Sequence, residues 1–399
     1  MAAHGAWDGR FAGKADPMQL RLALSVLAVS MFGVAIAAQQ PAAPPAGRAP
    51  AVRSPEVHPD GRVTFRIAAP KATEVTVSGE FEVGAPARKM TKDANGVWSA
   101  TLGPFASEIY EYDFVVDGVQ MLDPRNPAVK YNRGPAAISS LLDLRGSAPR
   151  FFDVKPVPHG KVEMRLYDSK TTRQTRRVHI YTPPGYERMT SRLPVLYLLH
   201  GGDGEDSVWT AFGRAHVILD NLIAEKQVQP MVVVMPNGYA YGWDSGVAAD
   251  KQQADFEKDL LEDLIPFVQQ NYRVSSDRRQ RALAGLSRGG GQTLAIGLRR
   301  LDVFSRLGVF SAGSNNPEEA FKDVAANARK VNEQLGLLWI GCGTDDFAMP
   351  GAKRLTGFLT EHGIEHTFKV TGGEHTWIVW RQYLRELAPR LWPRKGQSS

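Results

Sequence analysis

The stretch that decides the fold is Arg281-Ala-Leu-Ala-Gly-Leu-Ser-Arg-Gly-Gly-Gly-Gln-Thr-Leu-Ala-Ile296, which has Ser287 at its centre. The apolar run Ala282–Ala284 predicts a strand, and Gln292–Leu298 predicts a helix. Between them, Gly285-Leu-Ser-Arg-Gly289 has the spacing of a nucleophile elbow, a sharp strand-to-helix turn that raises a serine hydroxyl above a sheet. The glycines are needed because a strained serine backbone and a closely packed helix both require neighbours without a Cβ atom. A chain with 38 glycines can also produce this pattern as an ordinary turn, so the context has to decide.

The chain beyond residue 160 alternates strand-like and helix-like segments. Arg177–Tyr181, Val195–Leu199 and Met231–Met235 are short apolar runs, typical of buried parallel strands. In Asp255–Gln270 apolar residues recur every four positions, which predicts an amphipathic helix. The alternation predicts a doubly wound, mostly parallel α/β sheet. Active sites in such sheets lie at the carboxyl ends of the strands.

Residues with catalytic potential follow the strand-like runs in the order that a serine nucleophile requires. After Ser287, one apolar run leads into Asp345 and Asp346, and a later one leads into His375. A serine nucleophile needs a base that takes its proton and an acid that orients the base. We therefore predict Ser287 as nucleophile and His375 as base. Of the two aspartates we prefer Asp346 as the acid, and we expect Asp345 to cap the following helix or turn.

A second glycine motif, His200-Gly-Gly, follows the run Val195–Leu199 and predicts half of an oxyanion hole. Glycines let backbone N–H groups point at a substrate oxygen without obstruction. One donor would be the N–H of Arg288, at the positive end of the helix dipole. The other would be the N–H of Gly202 or Asp203.

Three tryptophans lie close to these motifs in the sequence. Trp209, in the loop after the second glycine motif, is expected to line the acyl pocket. Trp377 and Trp380 continue at helical spacing into Leu384 and Leu387, which favours core packing over contact with a sugar.

The segment 56–145 has the pattern of short β-strands. In residues 62–70 apolar and polar side chains alternate, and further strands are predicted at Glu74–Ser78, Val97–Leu102 and Ile109–Val116. Turn signals separate them, and no helical period interrupts them. This spacing predicts a small immunoglobulin-like all-β sandwich ahead of the α/β domain.

This segment resembles the family-48 carbohydrate-binding module. The resemblance is carried by Met90 and by four stretches: Val63-Thr-Phe-Arg-Ile-Ala-Ala-Pro, Gly96-Val-Trp-Ser, Tyr110-Glu-Tyr-Asp-Phe-Val-Val-Asp-Gly-Val and Asp123-Pro-Arg-Asn. It implies binding of carbohydrate. The candidate stacking residues Trp98, Tyr110 and Tyr112 occupy strand positions where core packing is the default. The module could instead act as a rigid spacer or as one wall of the catalytic cleft.

The N-terminal segment has the features of an export signal. From Met18 a short basic start is followed by an apolar run and by the small residues Ala35-Ile-Ala37, as in a cleaved signal peptide. An uncleaved membrane anchor is the alternative, because the run is close to spanning length. We expect a leader over 1–38, an Ala/Pro-rich linker over 39–55, and a secreted or periplasmic mature protein.

Composition argues against several classes of protein. The formal charge is +6, but the 48 basic residues are nearly balanced by 42 acidic ones. The basic residues occur only in short clusters, so we expect no nucleic-acid partner. The single Cys342 excludes an intrachain disulfide framework and a cysteine-based zinc site. We expect no cofactor, no metal, and no membrane contact beyond the signal segment. The sequence does not indicate the oligomeric state.

The α/β segment, 155–393, resembles the esterase-D-like group of α/β hydrolases, which contains carbohydrate esterase family one. The resemblance is carried by Leu193-Pro-Val-Leu-Tyr-Leu-Leu-His-Gly-Gly, Val234-Met-Pro-Asn-Gly, Asn271-Tyr-Arg-Val, Gly285-Leu-Ser-Arg-Gly-Gly and Gly372-Gly-Glu-His-Thr-Trp. It implies a triad of Ser287, Asp346 and His375. The family usually has methionine at the position of Arg288. We expect the Arg288 side chain either to pair with a nearby acid or to contact an anionic substrate.

Together these features predict an exported serine esterase that removes feruloyl or acetyl groups from xylan. The resemblance also leaves open an esterase for catecholate siderophores or for other aryl or polyester substrates. A non-catalytic carbohydrate-binding protein is the alternative from another class.

Overall fold

The computed structural model describes residues 52–81, 86–131 and 138–393. The expected leader, 1–38, and most of the expected linker lie outside the described residues. Residues from Val52 onward belong to one compact unit.

Two antiparallel sheets form a β-sandwich at the start of this unit. One sheet has the strand order β1-β2-β6-β5, and the other has the order β4-β3-β7-β10-β9, with β8 beside β7. Alternate apolar side chains of both sheets, such as Phe65 and Phe114, fill a shared core. The strands are β1 (Glu56–Val57), β2 (Val63–Ala68), β3 (Val75–Gly79), β4 (Arg88–Lys89), β5 (Thr91–Lys92), β6 (Val97–Leu102), β7 (Glu108–Val116), β8 (Val119–Met121), β9 (Val129–Tyr131) and β10 (Ile138–Leu144).

The predicted aromatic residues of the sandwich are core residues. Trp98, Tyr110 and Tyr112 are all buried within it. The Trp98 Nε1–H donates to the Ala69 carbonyl, and the Tyr112 hydroxyl donates to Asp123. Their rings therefore offer no open face on which a sugar could stack.

An eight-stranded sheet forms the second part, with the order β11-β12-β14-β13-β15-β16-β17-β18. The pairs β11·β12 and β12·β14 are antiparallel, and the remaining neighbours are parallel. The prediction of a mostly parallel α/β sheet is confirmed. The strands are β11 (Lys161–Ser169), β12 (Gln174–Thr182), β13 (Val195–Leu199), β14 (Val232–Pro236), β15 (Arg281–Leu286), β16 (Arg306–Phe310), β17 (Leu337–Gly343) and β18 (Thr367–Thr371).

Helices cover both faces of this sheet and bury two large apolar clusters against it. Cys342 is a buried core residue, as expected. Within the described ranges, no helix is both long and apolar enough to cross a membrane. The helices are α1 (Val208–Ala211), α2 (Ala215–Ala224), α3 (Ala249–Lys258), α4 (Ile265–Asn271), α5 (Arg288–Gly297), α6 (Pro317–Ala320), α7 (Lys322–Ala326), α8 (Ala328–Gln334), α9 (Met349–Glu361) and α10 (Trp377–Leu391).

The predicted helix over 255–270 is divided by a wider turn. A π-helical segment, Asp259–Leu264, joins α3 to α4. A strict four-residue apolar repeat drifts around a helix of 3.6 residues per turn. The wider turn absorbs that drift, so that Phe256, Leu260, Leu264 and Val268 are all fully buried.

The β-sandwich packs directly against helix α10. Ile109 of β7 belongs to the apolar cluster that contains the α10 side chains, and Ile378 of α10 packs against the sandwich core. Between them, the fully buried Arg381 donates to Glu108 at 2.7 Å. The sandwich is therefore held against helix α10 of the second part.

Candidate active site

Ser287 occupies the turn between β15 and α5. Its backbone has φ 52° and ψ −120°, a strained conformation for a residue with a side chain. A Cβ atom on Gly289 would lie 2.4 Å from the carbonyl oxygen of His200, and one on Gly285 would lie 2.5 Å from the backbone of Gly289. The glycines thus let α5 approach the sheet while the serine is held above it.

The structure brings Ser287, His375 and Asp346 into one hydrogen-bonded chain. The distance between Ser287 Oγ and His375 Nε2 is 2.8 Å, and that between His375 Nδ1 and Asp346 Oδ1 is 2.9 Å. Asp346 follows the end of β17 and His375 follows the end of β18, so the carboxyl ends of parallel strands position both.

The carboxylate of Asp346 is buried and charged. Burial alone would raise the pKa of Asp346, but hydrogen bonds from His375 and from the Ala348 N–H outweigh it and hold the pKa below its usual value. An ionised carboxylate at this position orients the imidazole and stabilises its protonated form.

The neighbouring Asp345 has a different environment. Its side chain is exposed and accepts a hydrogen bond from the Thr344 hydroxyl at 2.9 Å. The Ala348 N–H, at the turn before α9, is capped by Asp346 instead, at 2.8 Å. We expected Asp346 to contact the histidine and Asp345 to cap the following turn. In the structure Asp346 makes both contacts.

Two of the three oxyanion-hole candidates line the same cavity as Ser287. Gly202 and Asp203 line it together with the serine, and Arg288 is the first residue of α5. The first backbone N–H groups of a helix have no partner within it, so that of Arg288 is free of the helix's own bonding.

His200 holds the glycine loop in place. It is buried, which lowers its pKa and keeps it neutral. Its Nε2 accepts from the Gly238 N–H at 2.8 Å, so its Nδ1 carries the proton that it donates to the Gly201 carbonyl, 2.7 Å away. The role of His200 in this motif is thus to fix the loop.

The Arg288 side chain lies over the ring of Tyr239, with 4.1 Å between the guanidinium carbon and the ring centroid. The Tyr239 hydroxyl in turn donates to the Gly202 carbonyl at 2.7 Å. The structure thus gives Arg288 a cation–π partner, where an acid or an anionic substrate was expected.

A cavity of about 140 Å³ adjoins Ser287 and His375. Its apolar wall is formed by Val208, Leu286, Trp377 and Trp380. The two tryptophans are buried in the core, as expected, but their edges also form this wall.

Trp209 is not among the residues that line the cavity, contrary to expectation. It is only 1% exposed, and its Nε1–H donates to the Leu199 carbonyl at 2.9 Å. Helix α1 turns the ring inward under the end of β13, where it packs edge-on against Trp377.

Three polar residues in the wall of this cavity were not predicted as site residues from the sequence. They are Glu80, Glu111 and Lys130, and all three come from the β-sandwich. No local motif marks them, because only the packing of the sandwich against α10 brings them to Ser287. Of the roles considered for the sandwich, this geometry favours that of a wall of the cleft.

No cluster of three or more His, Cys, Asp or Glu side chains able to hold a metal ion occurs within the described ranges.

An eight-stranded, mostly parallel sheet with a serine on a strand-to-helix turn, followed by aspartate and then histidine, defines an α/β hydrolase. Residues 169–391 match the family model described as putative esterase. The chain belongs to this esterase family. Residues 53–126 match carbohydrate-binding module 48, the isoamylase N-terminal domain.

Several curated relatives of this chain are named as esterases. An endo-1,4-β-xylanase/feruloyl esterase of Xylanibacter ruminicola is 31% identical over 344 residues, 84% of this chain and 46% of that protein. The chain spans about half the length of the curated relatives it matches.

Solved structures of esterases share the fold. A ferulic acid esterase covers 58% of this chain and 97% of its own, at 25% identity and TM-score 0.52. The enterochelin esterase of Shigella flexneri covers 83% of this chain and 92% of its own, at 19% identity and TM-score 0.65.

Proposed function

We propose that this protein is an exported serine esterase that removes feruloyl or acetyl groups from xylan through Ser287, His375 and Asp346. The observation that carries the proposal is the hydrogen-bonded chain from Ser287 Oγ through the imidazole to a buried carboxylate. It lies at the N-terminus of α5 and opens into a cavity with room for an acyl group.

In the proposed reaction, Ser287 Oγ attacks the ester carbonyl while His375 Nε2 takes its proton. The oxyanion is held by the N–H of Arg288 and by that of Gly202 or Asp203. The C–O bond to the alcohol breaks as His375 returns the proton to the leaving oxygen. Water then attacks the acyl-enzyme, His375 again relaying the proton, and the acid leaves.

The choice of substrate rests on the relatives. The Xylanibacter ruminicola relative is named as a xylanase and feruloyl esterase, and the sandwich matches a carbohydrate-binding module. The apolar wall formed by Trp377 and Trp380 suits an aromatic acyl group. Export is proposed from the leader-like sequence over 1–38.

An esterase for catecholate siderophores is the second candidate. The observation that favours it is that the Shigella flexneri enterochelin esterase matches 83% of this chain, a share that extends beyond the α/β domain. Catechol esters and feruloyl esters both present a hydroxylated ring, so activity on each has to be compared directly.

The test uses the protein from about residue 39 with methyl ferulate, an acetylated xylan and a catecholoyl-serine ester, alongside Ser287→Ala. We expect ferulate release by the wild type and a fall in kcat of about 10⁶-fold in the variant. Release of acetate alone would move the substrate to acetylxylan, and cleavage of the catechol ester alone would favour the second candidate. Turnover that survives in Ser287→Ala would overturn the assignment of the nucleophile.

A further inference from the structure

The three sandwich residues in the cavity wall, Glu80, Glu111 and Lys130, form one polar cluster. Glu80 follows β3, and its carboxylate accepts the Glu111 N–H at 3.0 Å, while its own N–H donates to the Glu111 carbonyl at 3.0 Å. Lys130 of β9 pairs with the Glu111 carboxylate, and the two side chains are only 11% and 15% exposed. Backbone pairing and an ion pair thus fix all three positions.

The cluster contains both donors and acceptors. Burial and the nearby Glu111 carboxylate raise the pKa of Glu80 to about 7, against the opposing effect of Lys130 and Arg381. Glu80 therefore carries a proton in mildly acidic solution and can donate it in a hydrogen bond. The Lys130 ammonium is a second donor, and the Glu111 carboxylate is an acceptor.

A hydroxyl group is the ligand that this combination fits, since it accepts from an ammonium or a protonated carboxyl and donates to a carboxylate. An apolar ligand would remove water from the remaining donor and acceptor sites of these groups without replacing its hydrogen bonds, which costs free energy. The cluster shares its cavity with Ser287 and His375, and the tryptophan wall is part of the same cavity. A substrate whose ester group lies at Ser287 can therefore contact both the polar cluster and the tryptophan wall.

We propose that Glu80, Glu111 and Lys130 bind a hydroxyl group of the substrate, so that the β-sandwich supplies the specificity-determining end of the catalytic pocket. The proposal rests on the esterase function above. The hydroxyl belongs either to the ring of an aryl acyl group or to the sugar, and the experiment separates these sources.

The kinetic test compares esters that differ only in the hydroxyl group. For the acyl side the pair is methyl 4-hydroxycinnamate and methyl cinnamate, and for the sugar side it is an acetylated xylotriose and the same ester with its free hydroxyl groups methylated. The variants are Glu111→Gln, Lys130→Met and Glu80→Gln, the last retaining an acceptor for the Glu111 N–H. The matched control is Glu56→Gln, which breaks the Glu56–Arg66 pair (2.7 Å) elsewhere in the sandwich.

The wild type is expected to prefer the hydroxylated ester of one pair at least tenfold in kcat/KM. Glu111→Gln and Lys130→Met should reduce that preference about tenfold, because the group facing the hydroxyl is lost. The pair whose ratio changes identifies the source of the hydroxyl. Unchanged ratios in both pairs in all three variants, with unfolding temperatures like that of the control, would overturn the proposal.

A binding measurement keeps the test independent of turnover. Calorimetry with Ser287→Ala compares the affinities of methyl 4-hydroxycinnamate and methyl cinnamate, and of xylotriose and its per-O-methylated form. Preference for the hydroxylated ligand that disappears in Ser287→Ala/Glu111→Gln supports the proposal even if the wild type cleaves none of the esters. Equal affinities in both pairs refute it, whereas absence of cleavage alone refutes only the proposed function.

Discussion

Asp346 makes two contacts at once, one to the imidazole of His375 and one to the N–H of Ala348. Both contacts are made to Oδ1, so the amide of Asp346→Asn cannot replace it. An amide nitrogen at that position favours the wrong imidazole tautomer and loses the Ala348 N–H bond, and an amide oxygen there lacks the charge that stabilises the protonated imidazole, so we predict a fall in kcat of about 10⁴-fold. Steady-state kinetics on methyl ferulate measures it. The matched control is the exposed neighbour in Asp345→Asn, for which we predict a change below about threefold. The opposite order of effects would assign the acid to Asp345.

Glu80 should also make the stability of the protein depend on pH. Because its pKa is raised to about 7 in the folded state, the folded protein binds this proton more tightly than the unfolded chain. Its contribution is complete below the ordinary carboxyl pKa and is lost as the pH rises to about 7. The groups that face it, Glu111, Lys130 and Arg381, belong to β7, β9 and α10.

Urea unfolding of the wild type and of Glu80→Gln between pH 5 and pH 7.5 measures this effect. The wild type should lose free energy of unfolding relative to the variant as the pH rises, by at most about 1.4 kcal/mol per pH unit. Parallel curves for the two proteins would mean that Glu80 titrates normally.

Two of the glycines in helix α5, Gly289 and Gly291, have opposite effects on packing. A Cβ atom on Gly289 would meet the His200 carbonyl at 2.4 Å, whereas one on Gly291 would meet nothing within 4 Å. We predict that Gly291→Ala stabilises the protein by up to about 1 kcal/mol through helix propensity. Gly289→Ala should destabilise it and reduce activity, because α5 has to move away from the sheet. Chemical denaturation of both variants checks this, and a stable, active Gly289→Ala would contradict it.

At the scale of the element, local patterns predicted what is local in the chain. The strand β13 and the turn at Ser287 follow from short apolar runs and glycines, and so does the order of the catalytic candidates. The wider turn at Asp259–Leu264 agrees with the four-residue apolar repeat. That repeat is equally compatible with a regular helix, so it does not predict the wider turn by itself. Strand β11 escaped detection because it lies at the sheet edge and is mostly exposed, so no buried run marks it.

Contacts between elements that are distant in the chain could not be predicted from the sequence. Trp209 is near the glycine loop along the chain, yet α1 directs its ring into the core. Conversely, Glu80 is nearly three hundred residues from His375 and lines the same cavity. Only the packing of the sandwich against α10 determines that juxtaposition, and neither segment carries a pattern that reports it.

At the scale of the whole molecule, the buried pair of Glu108 and Arg381 joins the sandwich to helix α10. Removing the carboxylate in Glu108→Ala leaves a buried guanidinium unpaired, so we predict a loss of about 3–5 kcal/mol in the free energy of unfolding. The surface pair of Glu319 and Lys322 is the control, and Glu319→Ala should cost less than about 1 kcal/mol. Equal, small effects in urea unfolding would show that the sandwich is held by apolar contacts alone.

Helix α10 both walls the catalytic pocket, through Trp377 and Trp380, and anchors the sandwich through Arg381. As the ribosome releases a chain from its N-terminus, Ser287 and the sandwich emerge well before this helix does. The pocket can close only when residues 377–391 have been synthesised and have packed between the two earlier parts. A nascent chain that ends before residue 377 would therefore carry Ser287 without a complete pocket, and the tryptophan wall would form only once this helix has packed.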